Sequence, residues 1–166
     1  MTTIIVGTIL VAICVLYGIA SHRYARKDIL LGVEAGPLQE DGVCHFPKYE
    51  VSSKAIKLMN GRYVNTRDYI RIVVHGNCMK PRNIQDGEEW LVEPLDKQKP
   101  LRSQIKEKDV LLIYLKDEDL YKIREFECFN ADGSLQTFYY ESDGTKHSSS
   151  RPHAAGTIQG VVRYAI

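Results

Sequence analysis

The residues best suited to chemistry lie in a short turn near the middle of the chain, where Cys78 follows Gly76 and Asn77. A β-rich run, Tyr69 to Val74, precedes this turn, and Pro81 follows it. A rigid, exposed turn of this kind can present a nucleophilic thiol and leave backbone N–H groups available to stabilise an oxyanion. The pattern therefore predicts a nucleophile at Cys78.

A thiol needs a general base, or a depressed pKa, in order to attack at neutral pH. Lys122 is the candidate base, since it lies in an alternating run on the same face as Leu120 and Phe126. Burial on an apolar face disfavours the charged form of a lysine and favours the neutral amine that a base requires. The sequence thus supplies a possible thiol–amine pair.

Simpler interpretations of these residues stay open. Cys78 can be a small turn residue without chemistry, and Lys122 can be a solvated strand lysine. Cys44 and His45 together with His75 and Cys78 can be viewed as a zinc set, but adjacent ligands are poorly spaced for zinc. We therefore expect no metal and no cofactor.

The 166 residues provide room for one domain of ordinary size. The formal net charge of +1 argues against a broad nucleic-acid-binding surface, so no nucleic-acid partner is expected. The charge is unevenly distributed, because residues 1–20 contain no charged side chain and Arg23, Arg26 and Lys27 follow directly.

The apolar run predicts a single transmembrane helix over residues 1–20, with the lipid bilayer as a partner. The basic residues that follow place the N-terminus outside and the C-terminal domain in the cytoplasm. A buried core helix and a cleaved signal peptide are the alternatives for this run. Because the cytoplasm is reducing, we expect the cysteines to be free thiols.

The rest of the chain predicts a mainly β protein, as a curled sheet or a small, partly open barrel. Segments 96–108 and 143–152 are polar and are predicted to be loops, and Ser52 to Asn60 is predicted to be a short helix. The predicted strands are Tyr69 to Val74, Glu89 to Val92, Val110 to Leu115, Leu120 to Phe126, Leu135 to Tyr140 and Thr157 to Ile166.

Several stretches resemble the LexA-repressor and signal-peptidase superfamily. GNCMKP, followed by DGEEWLV, resembles the nucleophile box of that family. DLYKIREF resembles the strand that carries the family's general-base lysine, and TIQGVVRYAI resembles its closing strand. Upstream, GVEAGPL resembles the segment in which LexA-type proteins cut themselves at an Ala–Gly bond. The resemblance covers about residues 30–166, in the family's order.

The resemblance implies a LexA-like curled β-sheet and a role for each matching residue. Cys78 matches the nucleophile, which is usually a serine in the family, and Lys122 matches the general base. The backbone N–H groups of Asn77 and Cys78 match the oxyanion donors. Ala35 and Gly36 match the two sides of the cleaved bond.

Together these observations predict three parts of the chain. The apolar run gives a transmembrane helix at 1–20, and the basic residues begin a collar and linker at 21–36. The resemblance implies a cleavage site in that linker and a peptidase-like β domain at 37–166. The nucleophile motif is supported by Gly76, Met79, Pro81 and Gly87.

Three functions follow as expectations. In the first, a membrane-anchored autopeptidase cuts its own linker in cis and releases a cytoplasmic domain. In the second, a catalytically inactive sensor or effector module binds a ligand or protein partner and acts through its membrane helix by anchoring or as a homo-oligomer. The third is a signal-peptidase-like processing enzyme. Its active site would have to lie outside the cytoplasm, whereas the basic residues after the apolar run place the domain inside.

Overall fold

The computed structural model describes residues 27–35, 48–58, 60–141 and 143–166 of the chain. No helix within these ranges is long and apolar enough to cross a membrane. The transmembrane helix predicted for residues 1–20 lies outside the described residues.

Short runs rich in apolar and β-branched residues, such as β5 and β7, and the partly alternating run of β8 form strands. The strands are β1 (Lys27–Glu34), β2 (Lys48–Ser52), β3 (Ala55–Lys57), β4 (Tyr63–Asn65), β5 (Ile70–His75), β6 (Glu89–Pro94), β7 (Val110–Leu115), β8 (Leu120–Phe129), β9 (Leu135–Tyr140), β10 (Lys146–Ser148) and β11 (Ile158–Ala165). Single 3₁₀ turns lie between some of them, at Thr66–Asp68, Lys80–Arg82, Leu101–Ser103 and Ala155–Thr157.

One sheet contains most of these strands, in the order β10-β9-β8-β7-β11-β6-β5-β1-β2. Strands β3 and β4 form a separate two-stranded ribbon. The large sheet curls so far that β1 also meets β8, where the backbone of Glu34 pairs with that of Lys122. The prediction of a mainly β protein with a curled, open sheet is confirmed.

The core lies inside this curl. Its fully buried members include Val33 from β1, Ile72 and Val74 from β5, Leu112 from β7 and Ile123 from β8. Because they belong to strands that are distant in sequence, packing of these side chains holds the two ends of the curl together.

Two local predictions are wrong. The short helix predicted at Ser52 to Asn60 is replaced by the end of β2 and by β3, because Ile56 pairs with Val64 across the β3–β4 ribbon. The loop predicted at 143–152 contains β10, which pairs with β9. Partners distant in sequence decided both segments.

The segment predicted to be a linker, 21–36, contains β1. Leu30, Leu31 and Val33 are buried there, and β1 pairs with both β2 and β5. The apolar residues between the basic collar and Gly36 therefore form an internal strand of the sheet.

Candidate active site

Strand β1 runs parallel to β5 and brings Ala35 to the turn that follows β5. The register pairs Leu30 with Arg71 at one end and Glu34 with His75 at the other. Ala35 continues this ladder, since its N–H donates a hydrogen bond to the His75 carbonyl oxygen at 3.0 Å. Its side chain is fully buried. The residue predicted to precede the cleaved bond is therefore fixed by both its backbone and its side chain.

The Cys78 N–H donates a hydrogen bond to the Ala35 carbonyl oxygen, with 3.0 Å between nitrogen and oxygen. In acyl transfer this oxygen acquires the negative charge, and a donor at about 2.7–3.1 Å stabilises it. Among the described residues, the Asn77 N–H makes no hydrogen bond to the same oxygen. Cys78 forms no disulfide with another described residue and is partly exposed. One of the two predicted oxyanion donors therefore already contacts the predicted scissile carbonyl.

Gly76 allows the backbone to adopt the conformation of this turn. Its φ of +98° lies in a region that residues with a Cβ rarely adopt. A Cβ built there would lie 3.6 Å from the Ala35 carbonyl oxygen, so backbone strain rather than space excludes a larger residue. The Gly76 N–H donates a hydrogen bond to Asp86 Oδ1 at 2.8 Å. The Asp86 carboxylate therefore anchors the backbone at the start of the turn.

The other motif residues hold the turn in place. Met79 is fully buried in the core, and Pro81 lies within the 3₁₀ turn Lys80–Arg82 that leaves the site. Gly87, with a φ of +79°, donates its N–H to the Val74 carbonyl oxygen at 2.8 Å. These residues have structural contacts that position Cys78.

Lys122 lies on β8, opposite the end of β1. Its backbone pairs with Glu34, the residue before Ala35, and with Ile113 of β7. The side chain is 7% exposed, and Nζ lies 3.6 Å from Glu118 Oε2. Cys78 and Lys122 thus both border the segment that ends at Ala35. Cys78 contacts the carbonyl oxygen of Ala35, and Lys122 pairs with Glu34, the residue before it.

An ionic network around the buried carboxylate of Glu125 joins the 3₁₀ turn Lys80–Arg82 to β8. Arg82, in the 3₁₀ turn, has Nε 3.2 Å from Glu125 Oε2 on β8. Tyr140 donates its hydroxyl to Glu125 Oε2 at 2.6 Å, and Lys146 Nζ lies 2.9 Å from Oε1. Burial raises the pKa of Glu125. The hydrogen bonds from Tyr140 and Lys146 and the charge of Arg82 lower it by more, so the pKa of Glu125 is below its ordinary value. The carboxylate is therefore held ionised between the two elements.

Sequence reasoning missed Asp86, Arg82 and Glu125 as positioning residues. The dipeptide of Asp86 and Gly87 indicates a turn, but nothing local shows that its carboxylate accepts from Gly76. Alternation places Glu125 on the opposite face of β8 from Lys122. A carboxylate in a strand that is otherwise largely buried was the available signal of a charged partner.

Some predicted residues lie outside the described residues, namely Gly36 and the possible zinc ligands Cys44 and His45. Within the described ranges, no three His, Cys, Asp or Glu side chains are grouped so that they could hold a metal ion.

No model of a known protein family matches this sequence, and no curated protein is detectably similar to it.

Proposed function

We propose that this protein is a membrane-anchored, LexA-like autopeptidase that cuts its own Ala35–Gly36 bond with a Cys78–Lys122 dyad. The observation that carries the proposal is the 3.0 Å hydrogen bond from the Cys78 N–H to the Ala35 carbonyl oxygen. This hydrogen bond extends the β1–β5 ladder and places the N–H of the predicted nucleophile on the predicted scissile carbonyl.

The proposed reaction proceeds in two steps. Neutral Lys122 takes the thiol proton of Cys78, and the thiolate attacks the Ala35 carbonyl carbon while its oxygen becomes the oxyanion. The Ala35–Gly36 C–N bond breaks, and the Lys122 ammonium returns its proton to the Gly36 nitrogen. Water, activated by Lys122, then hydrolyses the thioester to the Ala35 carboxylate and the free thiol of Cys78.

The position of β1 supports cleavage in cis. The segment that supplies Ala35 belongs to the same sheet as β5 and β8, so the reacting groups are held together without a diffusional encounter. With a transmembrane helix over residues 1–20, the cut would break the covalent link between the membrane anchor and a cytoplasmic domain, while β1 still holds the two fragments together through the sheet. Occupation of the site by the chain's own segment disfavours the third function, a signal-peptidase-like enzyme acting on other precursors.

The contact between Lys122 and Glu118 favours the second candidate, an inactive sensor or effector module. A carboxylate 3.6 Å from Nζ stabilises the ammonium form, which cannot accept a proton. Cysteine in place of the family's usual serine is consistent with lost catalysis. In this case the β domain retains the peptidase-like architecture in order to bind a ligand or partner.

Intact-mass measurement of the purified full chain over time tests the proposal. We expect wild type to yield a fragment that begins at Gly36, and C78A and K122M to remain at full length. C128A is the matched control, because Cys128 is exposed and distant in sequence from the turn, and it should cleave at the wild-type rate. A rate that does not depend on protein concentration identifies cleavage in cis. Full-length wild type across pH 6 to 10 would contradict the autopeptidase and leave the inactive module.

A further inference from the structure

A cavity of about 480 Å³ opens beside Lys122, on the side of β8 toward β9 and the segment 149–154. This volume falls within the range of small-molecule sites. Lys122 and Arg124 reach it from the same face of β8, and each of these residues is only 5% exposed. The cavity therefore contains charged groups that are largely removed from bulk water.

The outer wall of this cavity is fastened to β9. The Ser149 N–H donates to the Thr137 carbonyl oxygen at 2.7 Å, and Ser149 Oγ lies 2.8 Å from Thr137 Oγ1. His153 exchanges two backbone hydrogen bonds with Leu135, each of 2.8 Å. Because these hydrogen bonds already order the wall, the cavity is preformed and a ligand does not have to order it on binding.

Cationic side chains outnumber carboxylates in the lining. The charged residues are Lys116, Lys122, Arg124 and Arg151 against Asp117 and Glu118. Two cations at one buried wall repel each other, and desolvation makes their charges costly. Glu118, 3.6 Å from Lys122 Nζ, and the Ile123 carbonyl oxygen, which accepts from Arg124, already offset part of this cost, and an anion in the cavity would offset more of it.

Two further groups suit an anionic ligand. His153 Nε2 is buried and has no hydrogen-bond partner among the described residues. Burial, followed by the charges of Arg124 and Lys122, lowers the pKa of His153, so its neutral ring has an N–H to donate. The Arg124 guanidinium lies 5.4 Å from the ring centroid of Tyr139, which holds it against the wall.

We propose that this cavity binds a small phosphate-bearing anion, and that the bound anion suppresses self-cleavage by stabilising the ammonium form of Lys122. Phosphate matches the guanidinium groups of Arg124 and Arg151 in geometry and in charge. The binding step stands independently of the proposed function, whereas the suppression step rests on it.

Binding is tested on full-length C78A, which cannot cleave itself by the proposed route. Calorimetric titration with inorganic pyrophosphate should show saturable binding beyond the effect of sodium chloride at equal ionic strength. R151Q should weaken this binding about tenfold through the loss of one charge-assisted contact. K97Q, which removes an exposed cation outside the cavity, should leave it unchanged. Absence of saturable binding, or equal weakening by R151Q and K97Q, overturns the site.

The source of the phosphate is resolved in the same assay. Vesicles of phosphatidylglycerol that displace pyrophosphate, where phosphatidylcholine vesicles do not, identify a lipid headgroup as the ligand. Failure of both to displace it identifies a free phosphate compound. Either result supports phosphate recognition by the cavity.

Suppression is tested on wild type by the same intact-mass assay. Saturating pyrophosphate should slow cleavage at least tenfold, and R151Q should need about tenfold more pyrophosphate for half-suppression. An unchanged rate at full occupancy overturns the regulatory step. If wild type never cleaves, the autopeptidase proposal fails, while the titration of C78A still decides the binding site.

Discussion

The Cys78 N–H donates a 3.0 Å hydrogen bond to the carbonyl oxygen of Ala35, a residue 43 positions earlier in the chain (78 − 35). Parallel pairing of β1 with β5 produces this contact, since it carries Ala35 one step past the last paired residues, Glu34 and His75. An extended segment is thereby presented to the turn by the same backbone ladder that builds the sheet.

Replacement of Gly76 by alanine should strain the backbone of the turn, although the added Cβ would not collide with neighbouring atoms. Its φ of +98° costs a residue with a Cβ about 1–2 kcal/mol. We expect G76A to lower the free energy of unfolding by about that amount and to slow cleavage, because relaxation of the turn moves the Cys78 N–H away from the Ala35 oxygen. Urea denaturation and intact mass measure the two effects.

The matched control is G156A. Gly156 does not have a left-handed φ, and a Cβ there meets nothing within 4 Å. This variant should keep both the stability and the cleavage rate of wild type. Equal losses in G76A and G156A would show that the left-handed turn is not the cause.

Replacement of Glu118 by glutamine should shift the pH dependence of cleavage toward lower pH. The carboxylate 3.6 Å from Lys122 Nζ stabilises the ammonium form, and its removal leaves more neutral amine at a given pH. At pH values below that at which the cleavage rate levels off, E118Q should therefore cut faster than wild type by roughly threefold to tenfold, as expected for a partly exposed ion pair.

D117N is the comparison for this change, because Asp117 lines the same cavity and is exposed, and it has no ion pair to Lys122 among the described residues. Its rate profile should overlay that of wild type. A profile for E118Q that does not move would exclude Glu118 as the group that controls the base.

The two halves of the cut chain should stay together under native conditions. Residues 27–34 pair along both edges with β2 and β5, and Leu30, Leu31, Val33 and Ala35 are buried. Burial of each larger apolar side chain stabilises the complex by about 1.5–3 kcal/mol.

Size-exclusion chromatography of the cleaved chain should therefore give one peak that contains both fragments, and urea should divide it in two. V33A should weaken the association, since it leaves a cavity in the core. Separation of the fragments immediately after the cut would show that β1 leaves the sheet on cleavage.

Replacement of Tyr140 by phenylalanine should destabilise the protein by about 1–3 kcal/mol at pH 7, because Glu125 loses a buried hydrogen-bond donor. Burial and the hydrogen bond to Glu125 raise the pKa of Tyr140 from 10.0 to about 12. A raised folded-state pKa means that the stabilisation is present below pH 10 and is lost as the pH rises through 12. The difference between wild type and Y140F should shrink over that interval.

Urea denaturation at pH 7 and at pH 11 measures this difference, with Y139F at the neighbouring position as the comparison. The pKa of Glu125 is shifted in the opposite direction, so its contribution is present above its ordinary value of 4.5 and is lost as the pH falls. A Y140F stability equal to that of wild type at pH 7 would show that the hydrogen bond from Tyr140 to Glu125 does not stabilise the fold.

Much of the local structure could be predicted from the sequence. The alternation in β8, the apolar run of β7 and the positive-φ glycines at Gly76 and Gly87 are local features, and each acts within a few residues of its own position. They indicated strands and a rigid turn correctly. The helix predicted at Ser52 to Asn60 failed because a short amphipathic run fits either period, and the partner strand β4 decided it.

The sequence by itself determined strands β5 to β9 and β11, the tight turn that contains Cys78, and the choice of Cys78, Lys122 and Ala35 as candidates. The tertiary structure alone decided that residues 27–34 form an internal strand, that Arg82 meets Glu125, and that Lys122 borders a cationic cavity. The physical reason is that strand register, charge pairing and cavities depend on partners distant in sequence. Their energies appear only when the curled sheet brings β1, β5 and β8 together.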